Sequence, residues 1–399
     1  MELASTSRVQ LAQLVEATFG TIPGSGTPKA VRITGESLDF GVATETSKEI
    51  RPDRQTSDLI VVGGSANGGF NMELSYNEFD PFIEGALMDT WVVYGVNGVG
   101  ATFTADFTAT TITAASAPTG GSALTSLAKG QWFKLNAPSH ANDGKYFRVS
   151  SSVSPTSTVV TVDASTPLAT GTAITLTKIS TSRVSNGSTQ RSFVLQKAFT
   201  DISQFLAYRG MTPSKFSLSF QSGSIVTGMF DFMGKDAVRG ATTLLPAAPT
   251  ASLAYEVMNA VTGVGQIMEG GAALTGTYIK SMSLELDNKL RGRTAIGSLG
   301  NVSLGAGTVE VKGQMEVYLA DGVLYDKFLN NTPSSVSLRA VDAAGNGYFI
   351  TLPKIKYADA KVVAGAIDQD AMLSMNYTAL YDPTSGKTIS VDRVGVAVV

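Results

Sequence analysis

The sequence offers few residues that could perform catalysis or bind metal. It contains a single histidine, His140, and no cysteine. A catalytic triad needs a base such as histidine, and a zinc site needs several histidine or cysteine ligands, so most such sites are excluded. His140 follows Pro138 and Ser139 beside a turn signal. We therefore predict that it is a solvated loop residue, and we expect no metal site and no cofactor.

Carboxylates are the remaining candidates for catalysis. A glycosidase needs two of them beside the scissile bond, and composition alone does not exclude such a pair. The candidates lie in or beside predicted strands and helices that carry no sign of a cleft: Glu73, Asp80, Glu84, Glu310 and Glu316. We predict that each faces solvent or an interface, and that the chain is not an enzyme.

Glycine-rich and basic stretches do not indicate a nucleotide or nucleic-acid site. Residues 63–69 precede a predicted strand, whereas a phosphate loop follows one, and residues 270–276 lack the Lys-Ser/Thr ending. Both are interpreted as turns or sites of close packing. The densest basic patch, Lys289 with Arg291 and Arg293, has no interleaved aromatic residues and is typical of a polar loop.

Composition favours a protein whose faces are covered by neighbours. The chain has 399 residues and a net charge of -3, with 43% hydrophobic residues but only 16% charged ones. About 25% charged residues is usual in soluble domains. Such a sparsely charged surface suits an assembly better than a free monomer. No signal peptide and no apolar run of membrane-spanning length is visible, so we expect no membrane association.

An internal duplication is the main feature of the chain's organisation. Residues 69–87 match residues 312–329, because in each a strand-like run passes into a short helix-like run. We predict the two helices at 80–87 and 323–329. The downstream matches are 192–197 with 349–354, and 215–234 with 361–380. A chain that repeats one β-rich unit is more often a building block than a catalyst.

Residues 101–185 differ from the rest of the chain. They are rich in Ser and Thr, and their strand-like runs are separated by turn signals such as Asn142-Asp-Gly144. A disordered linker is the alternative, but Trp132 and Phe133 are core-forming residues that linkers lack. We predict a small inserted Ig-like β-sandwich whose two ends lie close together. In the second copy we expect only a hairpin near 342–347 at the corresponding position.

These features predict a mainly β fold with two tandem sandwich or barrel domains, each with a short flanking helix, and the insert. Phe216, Leu218 and Phe220 alternate with serines as in a half-buried strand. We also predict a short helix in the linker, at 255–260. The predicted boundaries are an arm at 1–27, domain 1 at 28–100 and 186–246, the insert at 101–185, a linker at 247–277, and domain 2 at 278–399.

A long polar segment, residues 43–58, separates two predicted strands of domain 1. It contains Lys48, Glu49, Arg51, Asp53, Arg54 and Asp58. It is longer than a hairpin needs, and such loops are usually functional or disordered.

Many segments of the chain resemble siphophage tail tube proteins, also called major tail proteins. The opening segments are VRITGESL (31–38), SKEIRPDR (47–54), ELSY (73–76) and 86–87. The later ones are FTDISQF (199–205), YRG (208–210), 263–276, KVVAG (361–365), DQD (368–370) and ALYDPTSG (379–386). The resemblance covers nearly all of the chain outside 101–185. It is broad rather than confined to one motif.

The resemblance implies a structural subunit of a bacteriophage tail, assembled in the host cytoplasm. Its rings would stack around a tape-measure protein, meet tail terminator and distal tail proteins, and conduct phage DNA without sequence-specific binding. A surface adhesin or carbohydrate-binding protein is the alternative from another class, and a glycan-cleaving enzyme is a third.

Further expectations concern the assembled tube. The ring would contain three chains, because two similar units per chain give a pseudo-sixfold channel; a hexamer is the rival. Strand pairing would join chains around the ring, and the six charged residues of 43–58, with the arm, would contact the next ring. The lumen would be neutral to acidic. The insert would sit on the outer wall, so deletion of 101–185 would leave assembly intact.

Overall fold

The computed structural model describes residues 5–96, 99–261, 268–269, 272–273, 278–365, 367 and 369–395. This part of the chain is mainly β, with two short α-helices and no closed sheet. The mainly β prediction is confirmed. Both helices are found at the predicted residues, as α1 (Asp80–Leu87) and α2 (Val323–Leu329).

The strands follow the chain in three groups. Before the insert they are β1 (Val9–Val15), β2 (Lys29–Val31), β3 (Gly35–Glu36), β4 (Asp39–Thr46), β5 (Leu59–Glu73) and β6 (Val92–Val93). The insert holds β7 (Phe103–Phe107), β8 (Thr111–Ala114), β9 (Trp132–Asn136), β10 (Tyr146–Arg148), β11 (Val159–Thr161), β12 (Gly171–Leu176) and β13 (Lys178–Ser180). After it come β14 (Ser182–Ser185), β15 (Phe193–Phe199), β16 (Gln204–Gln221), β17 (Thr227–Met233) and β18 (Asp236–Gly240).

The second part of the chain repeats this pattern. Its strands are β19 (Met268–Glu269), β20 (Ala272–Ala273), β21 (Ile279–Asp287), β22 (Arg291–Arg293), β23 (Ser303–Gly305), β24 (Glu310–Tyr318), β25 (Ser334–Val341), β26 (Gly347–Val363), β27 (Met372–Ala379) and β28 (Ser390–Val394). Short 3-10 turns occur at Thr6–Arg8, Gly120–Ser122 and Leu124–Ser126.

Each unit is a two-layer sandwich in which one long strand serves both layers. In the first unit, the start of β16 pairs with β15 and β18, and its end pairs with β17, which pairs with β5. In the second unit, the start of β26 pairs with β25 and β28, and its end with β27, which pairs with β24. Buried side chains of both layers and of the helices share one core.

The strand pairings show which elements of the two units are equivalent. The pairs of equivalent elements are β4 with β21, β5 with β24, α1 with α2, β15 with β25, β16 with β26, β17 with β27, and β18 with β28. The predicted match of 192–197 with 349–354 is therefore wrong, since it placed β15 against β26. The matches of 69–87 with 312–329 and of 215–234 with 361–380 join equivalent elements, but the register shifts in β16 and β26 move their strand residues by one or two positions. The insert lies between α1 and β15, so its counterpart is the short link 330–333, and the predicted hairpin at 342–347 instead joins β25 to β26.

The insert is a sandwich with its own core. One sheet has the order β10-β9-β13 and the other β11-β8-β7-β12. Phe133, Phe147 and Leu176 are among the buried residues between them. Its ends meet as predicted, because Val99 bridges Ser180 directly. β14 pairs with β28 of the second unit, so the insert's own strands end at Ser180.

Two connecting segments differ from the sequence prediction. β1 pairs along its whole length with β15, so residues 9–15 of the predicted arm are part of the first unit's sheet. Residues 255–260 are extended, with bridges at Val257 and Asn259, rather than helical. The fully buried Met258 explains why, since the segment is held in the core and its local propensity is overridden. Most of 262–277 lies outside the described residues.

Candidate assembly surfaces

The two units of one chain are joined by a continuous sheet. The end of β16 pairs antiparallel with β21, from Lys215 opposite Asp287 to Gln221 opposite Ser281. β21 in turn pairs with β24. We call this pairing of β16 with β21 the internal junction. The sheet therefore runs β4, β5, β17, β16, β21, β24, β27, β26, with β3 beside β5.

Both ends of this sheet are unpaired within the described part of the chain. At one end, β3 and β4 pair only with β5. At the other end, residues 356–363 of β26 pair only with β27. An unpaired strand presents a row of free N–H and C=O groups that can pair with another chain. Val362 and Val363 at this edge are 44% and 40% exposed, respectively.

One face of the sheet lies in the core and the other is open and polar. On β21, Met282, Leu284 and Leu286 are buried, while Glu285 and Asp287 alternate with them. We call the latter side the open face. Carboxylates on it outnumber lysines: they are Asp39, Glu73, Asp231, Glu285, Asp287, Glu310, Glu316 and Asp359, against Lys215, Lys312, Lys356 and Lys361 on the strands and Lys289 just after β21.

Ion pairs link the strands of the open face. Lys289 Nζ lies 2.6 Å from Glu310 Oε2, and Lys312 lies 3.6 Å from the same oxygen. The pKa of Glu310 is held below its ordinary value by the hydrogen bond from Lys289. Burial raises the pKa of Asp231. The strands of the open face therefore carry more carboxylates than lysines, and Lys289 favours the charged form of Glu310.

The charged residues of 43–58 lie at the tip of a long hairpin formed by β4 and β5. The predicted loop is shorter than expected, because β4 extends to Thr46 and β5 begins at Leu59. Arg51 forms a two-bonded pair with Asp53, at 3.0 Å and 2.7 Å, which raises the pKa of Arg51 and lowers that of Asp53. Lys48, Glu49, Arg54 and Asp58 are also exposed.

The outer part of this hairpin also exposes apolar residues, which the sequence analysis did not single out. Val42, Leu59, Ile60, Val61 and Val62 are each between 48% and 60% exposed. We call residues 41–63 the distal hairpin. Four consecutive apolar residues exposed on both faces of a strand are a marker of an interface.

A buried charge cluster also fixes the two units against each other. The carboxylate of Asp80 at the start of α1 pairs with Arg393 of β28 and accepts from the Tyr348 hydroxyl. Burial would lower the pKa of Arg393, but Asp80 holds it above its ordinary value. Burial also raises the pKa of Tyr348. Sequence reasoning predicted that Asp80 faces solvent or an interface, but not that it is buried against β28, because nothing in the sequence shows that β28 packs against α1.

The insert is anchored on the second unit. Trp132 stacks on Phe349 with ring centroids 4.8 Å apart, and its indole N–H donates to Ser337 at 3.1 Å. The fully buried Asp392 pairs with Arg183 at 2.6 Å and accepts the backbone N–H of Trp132 at 3.0 Å. The insert therefore packs rigidly on the second unit rather than hanging from the first.

The candidate catalytic residues have structural roles. His140 is half-buried: its ring packs edge-on against Phe107, and Nδ1 accepts the Asn142 N–H at 3.2 Å. It is a loop residue, as predicted, but it is only partly solvated because the turn folds back on β7. Glu84 accepts the Trp91 N–H at 2.9 Å and pairs with Arg191 at 3.2 Å.

No site typical of an enzyme or a metalloprotein emerges from the described residues. They contain no cluster of His, Asp or Glu that could hold a metal. A cleft of about 720 Å3 beside β1 and β2 has Glu73 as its single carboxylate, so it lacks the pair that a glycosidase needs. Within the same residues, no helix is long and apolar enough to cross a bilayer.

Comparison with known proteins agrees with this architecture. The family model described as phage tail tube protein matches residues 6–379. No curated protein matches the chain. The match covers the insert, the sheet that joins the two units and the second unit as far as the end of β27, and the chain belongs to the phage tail tube protein family.

Proposed function

We propose that the chain forms closed rings that stack into the tail tube, enclose a tape-measure protein and later conduct the phage genome. The observation that carries this proposal is the sheet that spans both units and has an unpaired strand at each end. A subunit with two different free edges forms head-to-tail contacts, and such contacts close into rings when the rotation allows.

The open face is the proposed wall of the channel. Its opposite side is occupied by the core and the second layer, so within this sheet it is the face available to a lumen. DNA carries dense negative charge, and a basic wall would hold it by counterion release. The excess of carboxylates over lysines on the open face is consistent with a channel that lets DNA slide.

Three chains per ring is the proposed number, with six chains as the rival. Each chain contributes two equivalent sandwiches, so three chains supply six similar wedges and two alternating kinds of junction. One kind is the internal junction. The other would form between chains, at the free edges.

The remaining surfaces have roles outside the ring. The distal hairpin, with Lys48, Glu49, Arg51, Asp53, Arg54 and Asp58 at its tip, would contact the neighbouring ring. Its exposed Val42 and 59–62 would be buried there. The insert would lie on the outer wall, since a sandwich of its size would block the channel. Tail terminator and distal tail proteins would bind the two ends of the tube.

Negative-stain electron microscopy of the purified chain tests the proposal. We expect rings or hollow tubes. Dispersed particles under every assembly condition, including the presence of the tape-measure protein, would contradict it. The proposed role requires no covalent chemistry.

A further inference from the structure

We infer that residues 359–361 of β26 pair antiparallel with residues 39–41 of a second copy of the chain, in the register of the internal junction. This inference rests on the proposed ring and adds the partner strand and the residue pairs. The internal junction serves as its template, because both free strands have an equivalent that is already paired within the chain.

The first step aligns the two long strands. β16 has a register shift between Pro213 and Lys215 against β17, and β26 has one between Tyr357 and Asp359 against β27. A bulge is a fixed landmark within a strand pair. Lys215 is therefore equivalent to Asp359. The residues of β16 from Lys215 onward, which pair with β21, therefore correspond to the residues of β26 from Asp359 onward, which have a free edge.

The second step aligns the strands on the other side. In the first unit, Phe232 of β17 pairs with Pro213 next to the register shift, and on its other side it lies opposite Gly68. In the second unit, Tyr377 of β27 pairs with Tyr357 next to the register shift, and on its other side it lies opposite Gly313. Gly68 and Gly313 are thus equivalent, and so are their neighbours Asn67 and Lys312. Asn67 lies opposite Asp39, and Lys312 lies opposite Glu285. Asp39 is therefore the equivalent of Glu285.

Transferring the internal register gives the residue pairs between chains. Ser217 lies opposite Glu285 within the chain, so Lys361 would lie opposite Asp39 of the second copy. Both residues are exposed in the single chain. They carry opposite charges, and an opposite-charge pair directly across two strands is favourable. The charges of the two edges are thus complementary in this register.

The apolar side of the pairing is complementary as well. Phe216 opposite Leu286 becomes Ala360 opposite Phe40. The pairing ends at Asp39, because the buried Leu38 already uses its backbone N–H and C=O in bonds to Glu36, Lys197 and Tyr208. Ala360 and Phe40 are each partly buried against the common core. A second copy would cover the remaining surface of Ala360 and Phe40. The same core would then continue from chain to chain around the ring.

Engineered cysteines test the register, because the natural chain has none. The variant D39C/K361C places both thiols in one chain for oxidation after tube assembly. In the internal junction, the Asn288 N–H donates to the Ser214 carbonyl at 2.9 Å, so these two residues form a hydrogen-bonded pair. Hydrogen-bonded and non-hydrogen-bonded pairs alternate along antiparallel strands, and the equivalent pair Ser217–Glu285 is three positions further on. It is therefore a non-hydrogen-bonded pair, in which Cα atoms are about 4.5 Å apart and a disulfide fits.

The matched control is G41C/V363C. Both positions are exposed on the same edges, and a Cβ at Gly41 meets no atom within 4 Å. In the inferred register these two positions are four residues out of step, about 13 Å along the strand. We expect D39C/K361C tubes to yield covalent dimers and trimers on a denaturing gel, ending at the trimer, and the control to remain monomeric.

The outcomes separate this inference from the proposed function. Absence of tubes in the unmodified protein would contradict the function itself. Normal tubes in which the control cross-links and D39C/K361C does not would overturn the register alone. A ladder that continues to six chains would retain the register and overturn the ring of three. If either variant fails to assemble, the Lys361–Asp39 pair is read directly from a cryo-EM map of unmodified tubes, where a different partner overturns the inference.

Discussion

Phe216 of β16 and Leu286 of β21 lie directly opposite each other in the internal junction, as the second of its seven residue pairs. They are 1% and 0% exposed, respectively. Phe216 also stacks on Phe230, with ring centroids 4.7 Å apart. The hydrophobic core of the first unit therefore continues into the second, and the two units are packed as one body.

Truncation of this contact should destabilise the whole chain. We expect Leu286→Ala to lower the free energy of unfolding by about 2–5 kcal/mol, as buried leucines do. The matched variant is Val362→Ala, at the equivalent free edge, where the side chain is half-exposed. We expect Val362→Ala to leave the melting temperature of the single chain nearly unchanged but to reduce the yield of tubes. Equal effects of both variants on melting would contradict the assignment of the free edge.

The buried Asp80 carboxylate should matter far more than an exposed one. Asp80→Ala would leave the Arg393 guanidinium buried without its partner and remove the acceptor of the Tyr348 hydroxyl. We expect a loss of about 3–5 kcal/mol in a denaturant titration, as for other broken buried pairs. Asp53→Ala, which breaks the exposed pair with Arg51, is the control and should leave the titration midpoint in place.

Glu16 should make stability depend on pH in a defined direction. Burial raises the pKa of its carboxyl above 4.5, although the Ser192 hydroxyl and the N–H groups of Gly20 and Gly210 lower it. Its contribution is therefore fully present below the unfolded pKa and is lost as the pH rises through the folded pKa. Relative to Glu16→Gln, the wild type should be more stable near pH 4 than near pH 7. A relative stability that rises with pH would contradict this.

Removal of the insert should spare assembly only if β14 is retained. Replacement of 101–178 by a short Gly-Ser turn preserves the Val99–Ser180 bridge and the Arg183–Asp392 pair. We expect thinner tubes by electron microscopy. Deletion of 101–185 also removes Arg183 and leaves the fully buried Asp392 unpaired, so we expect little soluble protein. Loss of tubes in the first variant, with a normally folded chain, would contradict the outer position.

The distal hairpin should be needed for stacking but not for folding. The variant Arg51→Ala/Asp53→Ala/Arg54→Ala changes exposed side chains only, so the melting temperature should remain that of the wild type. We expect isolated rings or short tubes on micrographs. A distribution of tube lengths equal to that of the wild type would remove the proposal that this loop contacts the next ring.

Local patterns in the sequence were sufficient for several elements. The alternation of Phe216, Leu218 and Phe220 with polar residues predicts the strand and its buried side. The two helices follow a strand in each unit, and their ends are found at the predicted residues. Tertiary pairing decided other segments: residues 9–15 mix apolar and polar residues and become a strand because β15 and β2 pair with them.

Long-range contacts could not be predicted. The internal junction joins residues of β16 to residues of β21 that are far away in the sequence, and no periodicity encodes which strands meet. The same holds for Trp132 on Phe349 and for Arg393 on Asp80. The charged tip of the distal hairpin was visible in the sequence. The free edges could be identified only from the complete set of strand pairings in the structure.

A cryo-EM reconstruction of the assembled tube tests the central claim most directly. We predict a ring of three chains, with residues 359–361 of each chain paired to residues 39–41 of the next and with the open face towards the channel. The insert should then appear on every second wedge of the ring. A ring of six chains with an insert on each chain, or one in which these two edges remain unpaired, would contradict the account.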